Sequence, residues 1–336
     1  MLDLDTAYEN FFDDLAKRKA EKIQAGAVRR PRAHKKGVAD SFRFPQANQF
    51  TIERKWVKLP KAGWVRYCDS RPIEGNPKSI TVSREGQHWY MSVLCERELP
   101  DPIAPAGSAI GVDLNAKEGA AVVLSNGQCL ETAKTSKREW RYLRKLHRVA
   151  SRRKQGSRNH VKAKARLAKF EEYRSQRRKD AIHKVTTYLA KTHAVIVIEN
   201  LKVKNMTASA RGTVEKPSKN VKAKAGLNRV LLDRAPGFVR QCLSYKTIWY
   251  GSKLEKTNPA YTSQKCSHCG HSSPENRKST SWFCCVKCGH TESAHTNAAK
   301  NILAGGHPAS ACREDVRPVV ETGYFPEAGT QRGAAA

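Results

Sequence analysis

Apolar and polar positions change their period several times along this chain. Residues 1–28 read as a helix that begins acidic and turns basic, and they lead into the basic loop Arg29-Arg-Pro-Arg-Ala-His-Lys-Lys36. Between Ser41 and Glu98 short runs alternate with period two: Ser41–Phe44, Phe50–Glu53, Trp56–Leu59, Trp64–Tyr67, Ser79–Val82 and Trp89–Val93. Such alternation marks strands with one buried face, and the Pro and Gly between them predict an antiparallel, barrel-like β domain. Its aromatics Phe42, Phe44, Trp64 and Trp89 read first as core, with base stacking as the alternative. Ser108–Asn115 is an apolar strand carrying Asp113 near its end, and Ala120–Leu124 with the turn Ser125-Asn-Gly127 continues a hairpin. From Arg138 to Lys184 the period becomes helical. Leu143, Leu146 and Val149, then Ala181, Val185 and Leu189, recur at steps of three or four, predicting two helices broken near Gln155-Gly156-Ser157. A second buried-type strand, Ala194–Leu201, also delivers an acid near its end, Glu199, and Asn297-Ala-Ala-Lys-Asn-Ile-Leu303 reads as a closing helix.

Charge decides which partners suit this pattern. The 336 residues carry 62 Lys and Arg against 31 Asp and Glu, a formal net charge of +31, which favours a polyanion and most simply nucleic acid. Residues 138–184 concentrate this excess, with 18 basic and four acidic residues. A merely solvated helix interleaves acids for pairing one turn away, and acids are scarce here. The basic stretch therefore predicts phosphate contact, which supplies affinity and salt dependence and leaves sequence choice to other means. Arg144, Lys145, Arg148, Arg152, Arg153, Lys154, Arg158, Lys162, Arg177 and Arg178 are its candidate contacts. No apolar signal or membrane span is present, and the scattered cysteines other than the paired set argue against a secreted disulfide scaffold. The expected setting is the reducing cytosol of a cell whose nucleic acid is directly accessible, which the resemblance given below makes a bacterial cytoplasm in association with the nucleoid.

Two sets of residues can hold metals. Cys266-Ser-His-Cys269 and Cys285-Val-Lys-Cys288, 15 residues apart, have the spacing of a zinc ribbon, whose four thiolates close a tetrahedral, structural Zn²⁺ site. Free or disulfide-bonded cysteines are the alternative; Cys284 lacks the two-residue spacing to Cys288. Asp113 and Glu199, each at the rim of a buried-type strand, offer the hard oxygen ligands that Mg²⁺ needs, although each acid alone also reads as a cap or turn residue.

Taken together, Gly111-Val-Asp113-Leu, Ile198-Glu199-Asn-Leu-Lys-Val-Lys-Asn-Met206, Gly226-Leu-Asn-Arg229, Tyr261-Thr-Ser-Gln-Lys-Cys-Ser-His-Cys-Gly270 and Asn297–Leu303 resemble the OrfB/TnpB family of insertion-sequence proteins. These are RNA-guided DNA nucleases related to type V CRISPR effectors. The resemblance extends over about residues 1–304, including Leu59–Arg66 and Gln241–Lys246. It implies an α+β multidomain fold: a helical recognition-lobe remnant at 1–36 and a wedge-like β-barrel at 37–104. A RuvC domain of RNase H type would follow at 105–262, with a basic helical insertion at 131–190. A zinc ribbon at 263–291, a last RuvC helix at 292–304 and a flexible tail at 305–336 complete the chain. Family members usually carry several dozen residues ahead of the stretch that starts here, including a first barrel strand.

The resemblance also implies partners and chemistry: a guide RNA, a target DNA, and an element-encoded strand-transfer transposase. In a RuvC site three carboxylates hold two Mg²⁺ for phosphodiester hydrolysis, and base pairing supplies sequence choice. Asp113 and Glu199 match the first two positions, and His295 stands where the family has its third, an aspartate. Imidazole is a neutral ligand better suited to zinc or copper than to magnesium. The alternatives are thus a guided endonuclease impaired by His295, a nuclease-inactive guided DNA-binding protein, and a decayed copy. Glu292, one helical turn earlier, compensates only if its segment is helical.

Overall fold

The computed structural model describes residues 2–21, 30–31, 40–85, 88–114, 122–210 and 219–306. Most of the predicted basic loop 29–36 and all of the predicted tail beyond Gly306 lie outside the described residues. The chain separates into two compact units, Met1–Pro100 with Gly156–Glu172, and Asp101–Gln155 with Tyr173–Ala336.

The first unit opens with helix α1 (Leu2–Glu21) and continues into β1 (Ser41–Phe44), β2 (Thr51–Glu53), β3 (Trp56–Leu59), β4 (Gly63–Arg66), β5 (Asn76–Glu85) and β6 (His88–Glu96). The alternating runs are thus strands, but the described strands form two three-stranded antiparallel sheets, β1-β5-β6 and β2-β3-β4, instead of one closed barrel. Strands of three or four residues joined by tight turns, with Lys55 at φ 66° and Lys61 at φ 63°, pair with each other and leave too little length to reach a second sheet. Phe50, Val57, Leu59 and Ile80 form the buried centre between them, with Phe44, Ile52, Val82, Met91 and Val93 packed around it. Three of the four aromatics expected in the core are not there: Phe42, Trp64 and Trp89 are 45%, 46% and 54% exposed.

The second unit is built on a five-stranded mixed sheet. Its strands are β7 (Ile110–Asp113), β8 (Val122–Leu124), β9 (Cys129–Leu130), β10 (Val195–Glu199) and β11 (Lys253–Thr257), in the order β11-β10-β7-β8-β9. The β7–β8–β9 meander is antiparallel and β10 runs parallel to both β7 and β11. Parallel pairing requires crossovers, and helices supply them: α2 (Lys137–Ser151) and α3 (Arg158–Thr192) between β9 and β10, then α4 (Val203–Met206), α5 (Val221–Arg234) and α6 (Pro236–Tyr250) before β11. A final helix, α7 (Ala294–Gly306), follows the short pair β12 (Trp282–Cys284) and β13 (Thr291–Ser293).

Side-chain alternation assigns the two sheet faces. Ile110, Val112, Ile196 and Ile198 point to one side, where Ile182 and Leu189 of α3 and Val239 and Leu243 of α6 complete the core. The alternate positions Gly111 and Val197 face α7. A Cβ on Gly111 would stand only 2.1 Å from the Ala299 carbonyl oxygen, so glycine is what lets this helix lie directly on the sheet. Asp113 and Glu199 share the parity of Gly111 and Val197 and are therefore delivered to the α7 side.

The break between α2 and α3 falls where the sequence places it, with Gly156 at φ 83°. The buried stripe of α2 is Leu143, Leu146 and Ala150, with Val149 37% exposed, because the contact line follows the 3.6-residue turn and drifts off a strict three-residue step. Glu139 closes a capping box with Ser136 and receives two hydrogen bonds from the Arg177 guanidinium, at 2.6 and 3.1 Å. The Arg177 guanidinium, working against burial and aided by Ser136, holds the Glu139 carboxyl at about 2. A carboxyl depressed on folding contributes stability above its ordinary range and loses it as pH falls toward 2. Glu139→Gln is expected to cost about 1–3 kcal/mol near neutral pH, and thermal unfolding of the two proteins should converge as pH drops below the usual carboxylate range. A difference that does not change with pH would mean that the charge on Glu139 contributes nothing.

Candidate functional site

Asp113 ends β7, Glu199 ends the neighbouring parallel strand β10, and His295 lies in the first turn of α7. The sheet register sets Ile198 beside Val112, which brings the two acids to adjacent positions on the rim. All three side chains are buried. His295 Nδ1 lies 2.9 Å from Asp113 Oδ2, and His295 Nε2 is buried with no hydrogen-bond partner. Burial pushes the Glu199 carboxyl above its ordinary range and the negative Asp113 adds to this, against a hydrogen bond from the Thr262 hydroxyl, 2.5 Å from Glu199 Oε1.

Thr262 is a participant that reading the sequence for ligand types missed, although it stands in the quoted Tyr261-Thr-Ser run. Its backbone is held in turn: Asn301 Nδ2 donates to the Thr262 and Lys265 carbonyls at 2.9 and 2.6 Å, and Asn297 Nδ2 donates to Lys265 O at 2.8 Å. Asn297 also accepts from the Ser267 N–H at 2.9 Å. The asparagines of Asn297-Ala-Ala-Lys-Asn301 thus stitch the loop before Cys266 to α7. Arg234 is a second missed neighbour: burial lowers its pKa, while Asp233 and Asp113 oppose that shift.

Glu292 does not join the acids. Its segment is strand β13, so the helical-turn spacing does not apply, and its carboxylate is paired with Lys300 and lies 3.6 Å from His290 Nε2.

The four cysteines come together as two matching knuckles. Cys266 O accepts from Gly270 N and Cys285 O from Gly289 N, each at 3.0 Å, with the glycines at φ 75° and 72°. Only a left-handed residue turns the chain this sharply, which is why each pair is followed by glycine. The four ligand sulfurs lie within 4.8 Å of one another, with Cys266 to Cys288 at 3.8 Å and Cys269 to Cys285 at 3.6 Å. Burial disfavours the Cys285 thiolate, but N–H groups of Cys288 and Lys287 and the neighbouring thiols bring its pKa down to about 6. Cys284 sits on β12 outside the cluster. Four such sulfurs with no fifth donor could hold a structural metal.

The basic candidates divide. Arg144, Lys145, Arg148 and Arg152 line one open concavity of α2, with Arg141 completing it, and Arg153 and Lys154 are exposed just beyond the helix end. Arg158 and Lys162 are exposed in the first unit. Arg177 and Arg178 are already occupied, the former by Glu139 and Lys134 O, the latter by Asp233 at 3.1 Å. Asp233 also accepts from Arg174, whose guanidinium stacks 4.5 Å from the Trp140 ring centre. These two arginines brace α2, α3 and α5 instead of forming a free phosphate surface; their sequence neighbours gave no sign of this because Glu139 and Asp233 lie 38 and 55 residues away.

Among the described residues no helix is long and apolar enough to cross a membrane. Residues 92–210 match the OrfB_IS605 family model, described as "Probable transposase", and residues 237–302 match the model "Cas12f1-like, TNB domain". The chain is 42% identical over 315 residues to "Putative RNA-guided DNA endonuclease InsQ" of Escherichia coli (strain K12), covering 94% of this chain and 75% of that protein. A Streptomyces pristinaespiralis protein with the same description, without the InsQ designation, is 32% identical over 95% of this chain and 73% of its own. A solved Cas12f1–sgRNA–target DNA complex aligns with 67% of this chain and 45% of that chain at 18% identity and a TM-score of 0.38. With a 42% identical relative matched over three quarters of its length and a family model that spans β10 and both basic helices, the chain belongs to the OrfB/TnpB family of insertion-sequence proteins.

Proposed function

We propose that this protein binds DNA at sites chosen by a guide RNA, and that its acidic site, although placed where a RuvC nuclease has its metals, cleaves weakly or not at all. The names of its relatives and the mixed sheet that carries Asp113 and Glu199 support the first half. One observation supports the second: His295, which the family pattern sets at the third acid, has Nδ1 2.9 Å from Asp113 Oδ2.

The two acids alone suit a divalent cation, because the register sets their carboxylates at adjacent rim positions and a cation there would offset the burial and the repulsion from Asp113 that disfavour the ionised Glu199. The full donor set does not suit a pair of Mg²⁺ ions. One anionic oxygen ligand is replaced by a neutral nitrogen donor, and Asp113 Oδ2 is engaged by that same imidazole. Zn²⁺ on Cys266, Cys269, Cys285 and Cys288 would be structural, and strand transfer would fall to a separate element-encoded transposase. The guided DNA-binding reading is favoured over the active endonuclease because the pairing of His295 with Asp113 needs no rearrangement to persist.

Purification of the full chain from bacteria, with sequencing of bound RNA, tests the guide. DNA matching that RNA should be retained in Mg²⁺ without being cut. Binding should also weaken steeply with salt: neutralising about six phosphates gives a slope of about −5 in log affinity against log salt. Replacing Arg152, Arg153 and Lys154 together by Gln should flatten the slope. An unchanged slope would move the phosphate surface away from the end of α2, and absence of a discrete bound RNA would overturn the guide.

A further inference from the structure

The outer face of the β2-β3-β4 sheet is not explained by anything above. On its inner side Val57 and Leu59 are 2% and 5% exposed and pack on Phe50 and Ile80. Period two then places Trp56 and Lys58 of β3 outside, and the register sets Arg66 opposite Trp56 and Trp64 opposite Lys58. Across the β3–β4 pair each indole thus faces a cation, while on the β2 side Trp56 faces Glu53. Trp56 and Trp64 are 44% and 46% exposed, and Lys58 Nζ lies 6.0 Å from the Trp64 ring centre. The turns at the two ends of the face add Arg54, Lys55 and Lys61, and Glu53 is the only acid between residues 51 and 66.

Two indoles nearly half exposed on a sheet that already has its core on the other side add little to that core. Aromatic faces interleaved with cations would repel a basic partner and would lose their hydration against a purely apolar one, and the chain as a whole carries +31. We infer that this face is a stacking platform for single-stranded nucleic acid, with Trp56 and Trp64 under two bases and Lys58, Arg66 and the turn cations along the phosphates. Such a surface is sequence-tolerant, since every base has a π face. A duplex, whose bases are already stacked, has nothing to offer the indoles. The inference deepens the nucleic-acid reading above by assigning a surface in the first unit, but does not need a guide.

The test therefore uses probes that contain no guide sequence: a short polyuridine RNA and a short DNA duplex, titrated against the full chain. Trp56→Thr with Trp64→Thr, both in exposed strand positions where Thr is well tolerated, should weaken polyuridine binding by about thirtyfold or more, the loss expected when two stacked bases are released. Duplex binding, held by the basic helices, should be unchanged. Trp56→Phe with Trp64→Phe should keep most of the polyuridine affinity, which separates loss of stacking from loss of fold; circular dichroism on both variants monitors the fold directly. Polyuridine affinity unchanged in the Thr variant overturns the platform. Equal losses for polyuridine and duplex overturn it too, as does loss of a copurifying protein with polyuridine binding intact, which would give the face to a protein partner. Failure of the guide experiment with success here would leave the platform standing.

Discussion

His295→Asp is expected to yield Mg²⁺-dependent cutting of guide-matched DNA, with little or none expected from the unmodified protein. The substitution restores a third carboxylate at the first turn of α7 and removes the imidazole that engages Asp113 Oδ2 at 2.9 Å. Adding Asp113→Ala in that background should abolish the gain. A second readout does not depend on cutting. Three buried carboxylates without a cation repel one another, so His295→Asp should melt lower than the parent in buffer without added Mg²⁺ and be raised by Mg²⁺, as any ligand that binds only the native state raises stability. The parent, with two carboxylates and an internal imidazole partner, should respond much less. Robust guided cleavage by the unmodified protein would show that the imidazole serves the reaction, and the impaired-site reading would fall. No gain in either cleavage or Mg²⁺ stabilisation would show that the third ligand is not what limits the site.

The other large effect is expected from Cys269→Ser. Structural zinc sites contribute about 10 kcal/mol or more to the folding of small domains, and Ser replaces a thiolate with a hydroxyl that stays protonated. Zinc content should fall from one equivalent per chain toward zero, and hydrogen exchange should rise first over residues 263–291. The effect should not stop there. The loop before Cys266 is tied by Asn297 and Asn301 to α7 and carries Thr262, the hydrogen-bond partner of Glu199. Loosening the ribbon should therefore also raise exchange at the end of β10, whereas Thr262→Val should disturb Glu199 while leaving zinc bound. A folded protein that contains no zinc before any substitution would defeat the metal assignment. Loss of zinc with β10 unaffected would show that the asparagine ties do not couple the two sites.

Much of this was legible in the chain because the signals are local. Strand and helix periods depend on neighbours within a few residues, so the runs at Trp56–Leu59, Ile110–Asp113 and Val195–Glu199 and the helix break at Gly156 could be read directly. The paired cysteines with their following glycines are equally local, since each knuckle closes within five residues. Which charge meets which was decided by tertiary structure, because it depends on contacts across long stretches of chain. Arg177 and Arg178 look identical to Arg152 and Arg153 in sequence, yet the first pair finds Glu139 and Asp233 and the second remains exposed. Glu292 looks one helical turn ahead of His295 until β13 carries it to Lys300. Trp64 alternates like a core residue, and only the position of the Val57 and Leu59 side of the sheet shows which face is wet. The meeting of Asp113 with His295, 182 residues later in the chain, is of the same kind: each residue is fixed by its own element, and their contact exists only because Gly111 lets α7 lie against β7.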